Sequence, residues 1–151
     1  MRMEVTILVV EDDEGHAELI RKNLQRAGIA NPIVHFHDGQ QILDFLHRRG
    51  PGPHRQPAAA YVLLLDIRMP KVDGIEVLRQ VKEDEELRKI PVIMITTTDD
   101  PRDIDRCHAL GCSNYITKPI DYEQFVNAIR QLGLFLMIVQ VPRVNGRNTP
   151  Q

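Results

Sequence analysis

Four carboxylates stand directly after two apolar runs of this chain. Asp66 follows the run Tyr61–Leu65, and Glu11, Asp12 and Asp13 follow the run Thr6–Val10. Two unit charges about 4 Å apart repel by roughly 4 kcal/mol at an effective dielectric constant near 20, so a bound divalent cation would relieve such a cluster. For Asp13 or Asp66 taken alone, a capping role at the start of the next helix is an equally open interpretation.

Five short runs rich in β-branched and aliphatic residues predict strands that carry these acids. The runs are Thr6–Val10, Ile33–His37, Tyr61–Leu65, Val92–Thr96 and Ser113–Thr117. The segments between these runs have apolar residues at helical spacing. This alternation predicts βα units with right-handed crossovers and a sheet covered on both faces. We therefore expect a flavodoxin-like α/β sandwich, which is a doubly wound (βα)5 fold with parallel strand order 2-1-3-4-5. In such sheets, ligands bind beyond the carboxyl ends of the strands.

Capping residues mark the helices between the strands. Gly28 and Gly111 follow amphipathic segments and predict helix ends. Asp100 before Pro101 predicts an N-cap and a first helical residue, and Asp121 with Gln124 three residues later predicts the start of the last helix.

Composition narrows the function. The formal net charge is −2, from 19 basic and 21 acidic residues, which argues against binding to a phosphate backbone. Cys107 and Cys112 lack zinc-like spacing and are expected to be ordinary thiols. The apolar run Leu134–Val139 is far shorter than the roughly 20 residues that span a bilayer. We expect a cytoplasmic protein that contacts neither nucleic acid nor membrane.

Two more polar residues lie at the ends of predicted strands. Thr96 follows Val92–Ile95, and Lys118 follows the run Ser113–Thr117 and precedes Pro119. With these, the sequence resembles the receiver domains of two-component response regulators from about residue 4 to about residue 132. The motifs that carry the resemblance are Val9–Asp13, Leu65–Gly74, Ile95–Thr97 and Tyr115–Pro119. Each motif is common alone, but their order and spacing together are specific.

The resemblance implies a role for each residue of the set. Asp66 would accept a phosphoryl group, Glu11 and Asp12 would hold Mg²⁺ together with Asp66, and Arg68 would add its backbone carbonyl. Thr96 would contact the phosphoryl oxygen, and Lys118 would pair with the site. The chemistry agrees, because an Asp carboxylate is a competent nucleophile and phosphoryl transfer depends on positioning and charge stabilisation. Asp13 is then expected to start the following helix.

The resemblance also implies a switch. Tyr115 would turn inward as the Thr96 hydroxyl moves toward the phosphoryl group, although a half-buried strand tyrosine is an open alternative. Asp73 and Gly74 are expected to serve backbone geometry, with Gly74 supplying a positive φ.

A finer resemblance is to stand-alone receivers that partner phytochrome-type histidine kinases. It rests on His35–Gly39, Leu43–His47, the long proline-rich loop Arg48–Pro57, Asp84–Pro91, Ile95–Thr98 and the apolar ending Leu134–Val139 before Pro142. Residues 13–16 and the lack of a tryptophan near the apolar ending depart from that group's pattern.

Domain organisation follows from the chain after Lys118. We expect a receiver domain over residues 1–133 and an apolar extension and tail over residues 134–151, with no output domain. Output would then pass through another protein, and the apolar run Leu134–Val139 predicts a homodimer contact.

Two other function classes remain open. An Mg²⁺-dependent phosphohydrolase also uses clustered aspartates, but usually has a second acid where this chain has Arg68. A binding module that is never phosphorylated is the other, because a fold does not imply a function. We expect a phosphoacceptor and not a turnover enzyme.

Overall fold

The computed structural model describes residues 5–128 and residue 130. The predicted dimer contact and the tail, residues 134–151, lie outside the described residues. Within the described part, no helix is both long enough and apolar enough to cross a bilayer.

Five parallel strands form one sheet in the predicted order, β2-β1-β3-β4-β5. Their observed bounds differ from the predicted ones by one residue at most. They are β1 Val5–Val10, β2 Ile33–Phe36, β3 Ala60–Leu65, β4 Val92–Thr96 and β5 Asn114–Thr117. The flavodoxin-like fold is therefore confirmed.

The register of the strands brings their carboxyl ends to one edge. Val10 of β1 pairs with Leu65 of β3, so the residues that follow, Glu11 and Asp66, are neighbours. Thr96 of β4 pairs with Thr117 of β5, and the Lys118 amide donates to the Thr96 carbonyl at 2.7 Å. The four strand ends singled out in the sequence thus converge in a single crevice.

The helices begin at side-chain caps and cover both faces of the sheet. Their bounds are α1 Glu14–Arg26, α2 Gly39–His47, α3 Gly74–Glu83 and α4 Pro101–Leu110, with a short 3₁₀ helix at Leu87–Lys89. Residues 122–128 are also helical and form α5. Asp13, Asp38, Asp73 and Asp100 each cap the helix that follows, by accepting a hydrogen bond from a backbone amide.

The predicted helix ends are largely confirmed. Gly111 caps α4 with a φ of 107°, and Gly28, with a φ of 84°, lies one residue beyond the Ala27 cap of α1. At the start of α5, the Asp121 carboxylate accepts from the Glu123 amide at 2.9 Å.

Two apolar clusters hold the three layers together, one on each face of the sheet. The first joins Leu63 and Leu65 of β3 to α2, α3 and α4. The second joins Val62 and Leu64 to α1 and to Phe125 of α5. Alternation along a strand sends successive side chains to opposite faces, so β3 supplies both clusters and is buried along its whole length. The acids that follow β1 and β3 therefore stand at the ends of deeply buried strands.

Candidate functional site

Three of the predicted carboxylates meet beyond the ends of β1 and β3. Glu11, Asp12 and Asp66 each offer an oxygen, and these oxygens lie within 4.8 Å of one another. Glu11 is 1% exposed and Asp66 is 7% exposed, whereas Asp12 is exposed to solvent. The prediction that these acids form one cluster is confirmed. Asp13 does not belong to it, since its side chain caps α1 by accepting from the His16 amide at 2.9 Å.

Lys118 brings a buried ammonium group into this cluster. Its Nζ donates to Oδ2 of Asp66 at 3.3 Å and also contacts Oε1 of Glu11. A third contact, at 3.0 Å, is with Nδ1 of His16. An ammonium group has three protons, so these three partners match its full donor capacity. Lys118 is therefore fixed between the two buried acids.

His16 is a member of this site that the sequence analysis missed. It stands in the first turn of α1, and its Nδ1 also lies 3.9 Å from Oε1 of Glu11. Because the ammonium only donates, Nδ1 is the acceptor nitrogen of the ring in this contact. The start of α1 at the Asp13 cap was the available signal, because a helix that begins beyond β1 turns its first residues toward the same crevice.

Burial has the largest effect on the pKa of Glu11. The pKa of Glu11 is raised from 4.5 to about 7, chiefly by desolvation, and the hydrogen bond from Lys118 opposes that rise. Oδ1 of Asp66 is buried without a hydrogen-bond partner among the described residues. A buried carboxylate oxygen without a partner is costly, which leaves Asp66 with one satisfied oxygen and one available for a ligand.

Hydrogen bonds join Thr96, Thr98 and Arg68 on another side of the pocket. Thr96 is fully buried at the end of β4, and its Oγ1 accepts from the Thr98 amide at 3.4 Å. The Thr98 hydroxyl in turn accepts from Nε of Arg68 at 3.1 Å. These contacts fix the guanidinium of Arg68, whereas the use of its backbone carbonyl as a metal ligand stays a prediction.

A family model described as the response regulator receiver domain matches residues 7–130. The chain belongs to this family. The receiver domain crystal structure from Rhodospirillum rubrum is 48% identical, covers 93% of this chain and 99% of its own, and superposes with a TM-score of 0.78. The bacteriophytochrome response regulator RtBRR is 40% identical, covering 93% of this chain and 85% of its own, with a TM-score of 0.75.

A curated relative also matches most of the chain. The probable methanogenesis regulatory protein FilR2 of Methanothrix harundinacea is 37% identical over 126 residues, which are 83% of this chain and 79% of that protein. The resemblance inferred from the motifs, including the likeness to phytochrome-associated receivers, is therefore confirmed.

In this receiver, Tyr115 is joined to the loop after β4. Its hydroxyl donates to the Thr98 carbonyl at 2.6 Å, and its ring packs against the apolar cluster of α2, α3 and α4. Burial raises the pKa of Tyr115 from 10.0 to about 12. Thr98 thus links Arg68, through its side chain, to Tyr115, through its backbone, a connection that sequence reasoning missed.

The expectation of a positive φ at Gly74 is wrong. Gly74 is the first residue of α3 and has no left-handed φ, unlike Gly28 and Gly111. The reason for glycine is space, since a Cβ there would lie 1.9 Å from the carbonyl oxygen of Asp66 and 2.8 Å from Cα of Ile67. The Gly74 amide also donates to the Ile67 carbonyl at 2.7 Å. Gly74 therefore lets α3 pack directly against the backbone that carries Asp66.

Proposed function

We propose that this receiver accepts a phosphoryl group on Asp66 in the presence of Mg²⁺. The observation that carries the proposal is the asymmetry of that carboxylate. Oδ2 is held by Lys118 at 3.3 Å, whereas Oδ1 is buried without a partner among the described residues. One oxygen is fixed by a cation and the other is available, as an oriented nucleophile requires.

The residues present fit a magnesium ion. Carboxylate oxygens of Glu11, Asp12 and Asp66 come together, and Mg²⁺ prefers oxygen ligands while keeping several waters. Glu11, Asp12 and Asp66 would hold the ion, with the Arg68 carbonyl as the further ligand that the family resemblance implies. The ion would supply positive charge beside the transferred oxygens.

The chain's own residues then do the following. An Asp66 oxygen forms the new P–O bond while the P–N bond of a kinase phosphohistidine breaks, and the electron pair of that bond leaves with the imidazole nitrogen, which takes up a proton. Lys118 stabilises the charge on the phosphoryl oxygens from its place beside Asp66. The Thr96 hydroxyl is at the end of the adjacent strand and can donate to the same group once it turns from its contact with the Thr98 amide.

Phosphorylation would act as a switch through Thr96, Thr98 and Tyr115. It adds about −1.5 to −2 charge, which would draw the Thr96 hydroxyl and Lys118 inward. Since Thr98 carries both the amide that contacts Thr96 and the carbonyl that binds Tyr115, a shift of Thr96 reaches the tyrosine through one residue. We propose that the surface around Tyr115 changes with it.

The direct test is incubation with Mg²⁺ and acetyl phosphate, followed by intact-mass analysis. We expect one added phosphoryl group on the wild type and none on Asp66→Asn. If no phosphoryl group is added to the wild type, the function that remains is that of a binding module that works without phosphorylation. An equal addition to Asp66→Asn would place the acceptor elsewhere. Sustained release of phosphate from added phosphate esters would favour a phosphohydrolase instead.

We propose a histidine kinase of the phytochrome type as the phosphodonor. Receiver domains are phosphorylated by histidine kinases, and the 40% identity to RtBRR over most of both chains supports this class of partner. Candidate kinases should be compared by the initial rate of phosphotransfer to this chain, with Asp66→Asn as the control. A phytochrome kinase that transfers no faster than unrelated kinases would contradict the pairing.

For output, we propose contact with another protein and self-association through Leu134–Val139. The proposal rests on the apolar sequence of that segment. Sizing chromatography should give a dimer that weakens when Leu136 and Ile138 are replaced by polar residues. A monomer at high protein concentration would reject the contact.

A further inference from the structure

A second group of ligand atoms lies beside the acidic pocket and takes no part in the function proposed above. It consists of Glu14, His35 and His37, and each residue offers one ligand atom within 4.8 Å of the other two. Unlike the acidic pocket, this group contains two imidazoles.

The fold places the three residues together for simple geometric reasons. His35 is the third residue of β2, on the same face of the sheet as Ile33, and His37 directly follows the strand with its ring centroid 4.3 Å from that of His35. Ile33, two residues before His35, packs in the apolar cluster that α1 covers. Glu14 is the first residue of α1, directly after the Asp13 cap. The start of that helix thus faces both histidines.

The ring of His35 is already oriented for a ligand. Its Nε2 lies 2.7 Å from the carbonyl oxygen of Glu11. A carbonyl only accepts, so Nε2 carries the proton and Nδ1 keeps its lone pair. Metal-binding histidines usually donate their other ring N–H to a carbonyl or carboxylate in this way, which fixes the tautomer.

His37 and Glu14 have the spacing of two ligands on one ion. Nδ1 of His37 lies 3.2 Å from Oε1 of Glu14. Two ligands bound at about 2.0–2.1 Å in tetrahedral geometry are about 3.3–3.4 Å apart. The ring of His35 follows closely, with its centroid 4.3 Å from that of His37. The His37 backbone is held by a 2.8 Å hydrogen bond from its amide to Oε1 of Gln41.

We propose that Glu14, His35 and His37 bind a divalent transition-metal ion of the Zn²⁺ class. Two imidazole nitrogens and one carboxylate oxygen suit Zn²⁺, Ni²⁺ or Cu²⁺, whereas Mg²⁺ requires oxygen ligands. Three protein ligands leave a fourth position for water or another ligand. The chain would thus hold two kinds of ion at adjacent positions, Mg²⁺ at the carboxylates and the transition metal at the imidazoles. The Glu11 carbonyl, which accepts from His35, links the two sites.

Calorimetric titration with Zn²⁺ in saturating Mg²⁺ tests the site, because Mg²⁺ occupies the oxygen pocket and spares the imidazoles. We expect one Zn²⁺ per chain on the wild type and on Asp12→Asn. His37→Gln and Glu14→Gln should each weaken binding by at least about tenfold. Both replaced side chains are exposed, so these variants should keep the wild-type melting temperature without metal.

Two further histidines serve as controls. His54→Gln removes an imidazole in the loop after α2, and His108→Gln removes the one whose Nδ1 lies 3.7 Å from Sγ of Cys112. Both variants should bind Zn²⁺ as the wild type does. The proposal fails if His37→Gln and Glu14→Gln retain full affinity, if Asp12→Asn or His108→Gln abolishes binding, or if the wild type does not bind. Shifts of the His35 and His37 imidazole resonances on adding Zn²⁺ would locate the ion independently.

Discussion

Nζ of Lys118 lies 3.3 Å from Oδ2 of Asp66, and both side chains are more than nine-tenths buried. The same ammonium contacts Glu11, so one cation balances two buried carboxylates. Taking two acids and a lysine out of water costs free energy that their attraction only partly offsets. We therefore infer that these buried charges serve ligand binding and not the stability of the fold.

Replacing Lys118 with Met should destabilise the protein, because it leaves two acids buried without a cation. We expect a loss of about 2–3 kcal/mol in the free energy of unfolding, less than the roughly 3–5 kcal/mol typical of a broken buried pair. The reduction follows from Glu11, whose pKa of about 7 allows it to take up a proton in place of the lost charge. Urea unfolding at neutral pH measures this difference.

A surface lysine provides the matched control. Lys71 lies 3.7 Å from Oδ2 of Asp38 and its side chain is 66% exposed. Because exposed ion pairs contribute roughly 0–1 kcal/mol, Lys71→Met should change the free energy of unfolding little. Equal losses for the two variants would show that burial does not set the cost. With Mg²⁺ present, acetyl phosphate should also modify Lys118→Met more slowly than Lys71→Met.

Gly74→Ala should disturb the acceptor through the backbone. The new Cβ would lie 1.9 Å from the Asp66 carbonyl oxygen, so α3 or the Asp66 backbone must move. We expect overpacking to cost about 1–3 kcal/mol. We also expect slower modification of Asp66 by acetyl phosphate.

Gly28→Ala separates these two effects. Gly28 has a φ of 84° and no atom within 4 Å of an added Cβ, at the far end of α1. Alanine in that left-handed conformation costs about 1–2 kcal/mol without touching the site. Phosphorylation should therefore be unchanged in Gly28→Ala despite a similar loss of stability. A parallel slowing in both variants would mean that stability alone controls the reaction.

The raised pKa of Tyr115 predicts a change in the free energy of unfolding at alkaline pH. Its pKa is raised by burial from 10.0 to about 12, so the folded state favours the protonated phenol. The contribution is fully present below pH 10 and is lost as the pH rises through 12. Tyr115→Phe lacks this titration, although it also loses the hydrogen bond to Thr98. Between about pH 9 and about pH 11, the free energy of unfolding should fall less in Tyr115→Phe than in the wild type. Identical slopes would contradict the raised pKa.

The fold and the acid cluster were predictable because they depend on local patterns. Apolar runs fixed the strands, and an acid directly after a strand must lie at its carboxyl end, so Glu11 and Asp66 were placed correctly. Gly74 shows the limit, since both φ and space can require glycine and only the packing of α3 on Asp66 distinguishes them. His16 was missed because its contact with Lys118 joins residues 102 positions apart. The start of α1 beyond β1 indicates only that His16 lies near the crevice, and tertiary packing alone pairs its ring with Lys118.

Cys107 and Cys112 predict slow thiol chemistry. Both are buried and free, and burial raises the pKa of Cys107 from 9.0 to about 11 and raises that of Cys112 as well. The thiolate is the reactive form, so at about pH 8 only about one Cys107 thiol in a thousand is ionised. We expect a disulfide reagent such as Ellman's reagent to modify the native protein slowly and to modify both thiols at once after unfolding in urea. Mass spectrometry of partly modified protein identifies which thiol reacts, and Cys112, at 8% exposure against 0% for Cys107, should react first. Fast modification of Cys107 in the native protein would show that the face between α4 and the sheet opens readily.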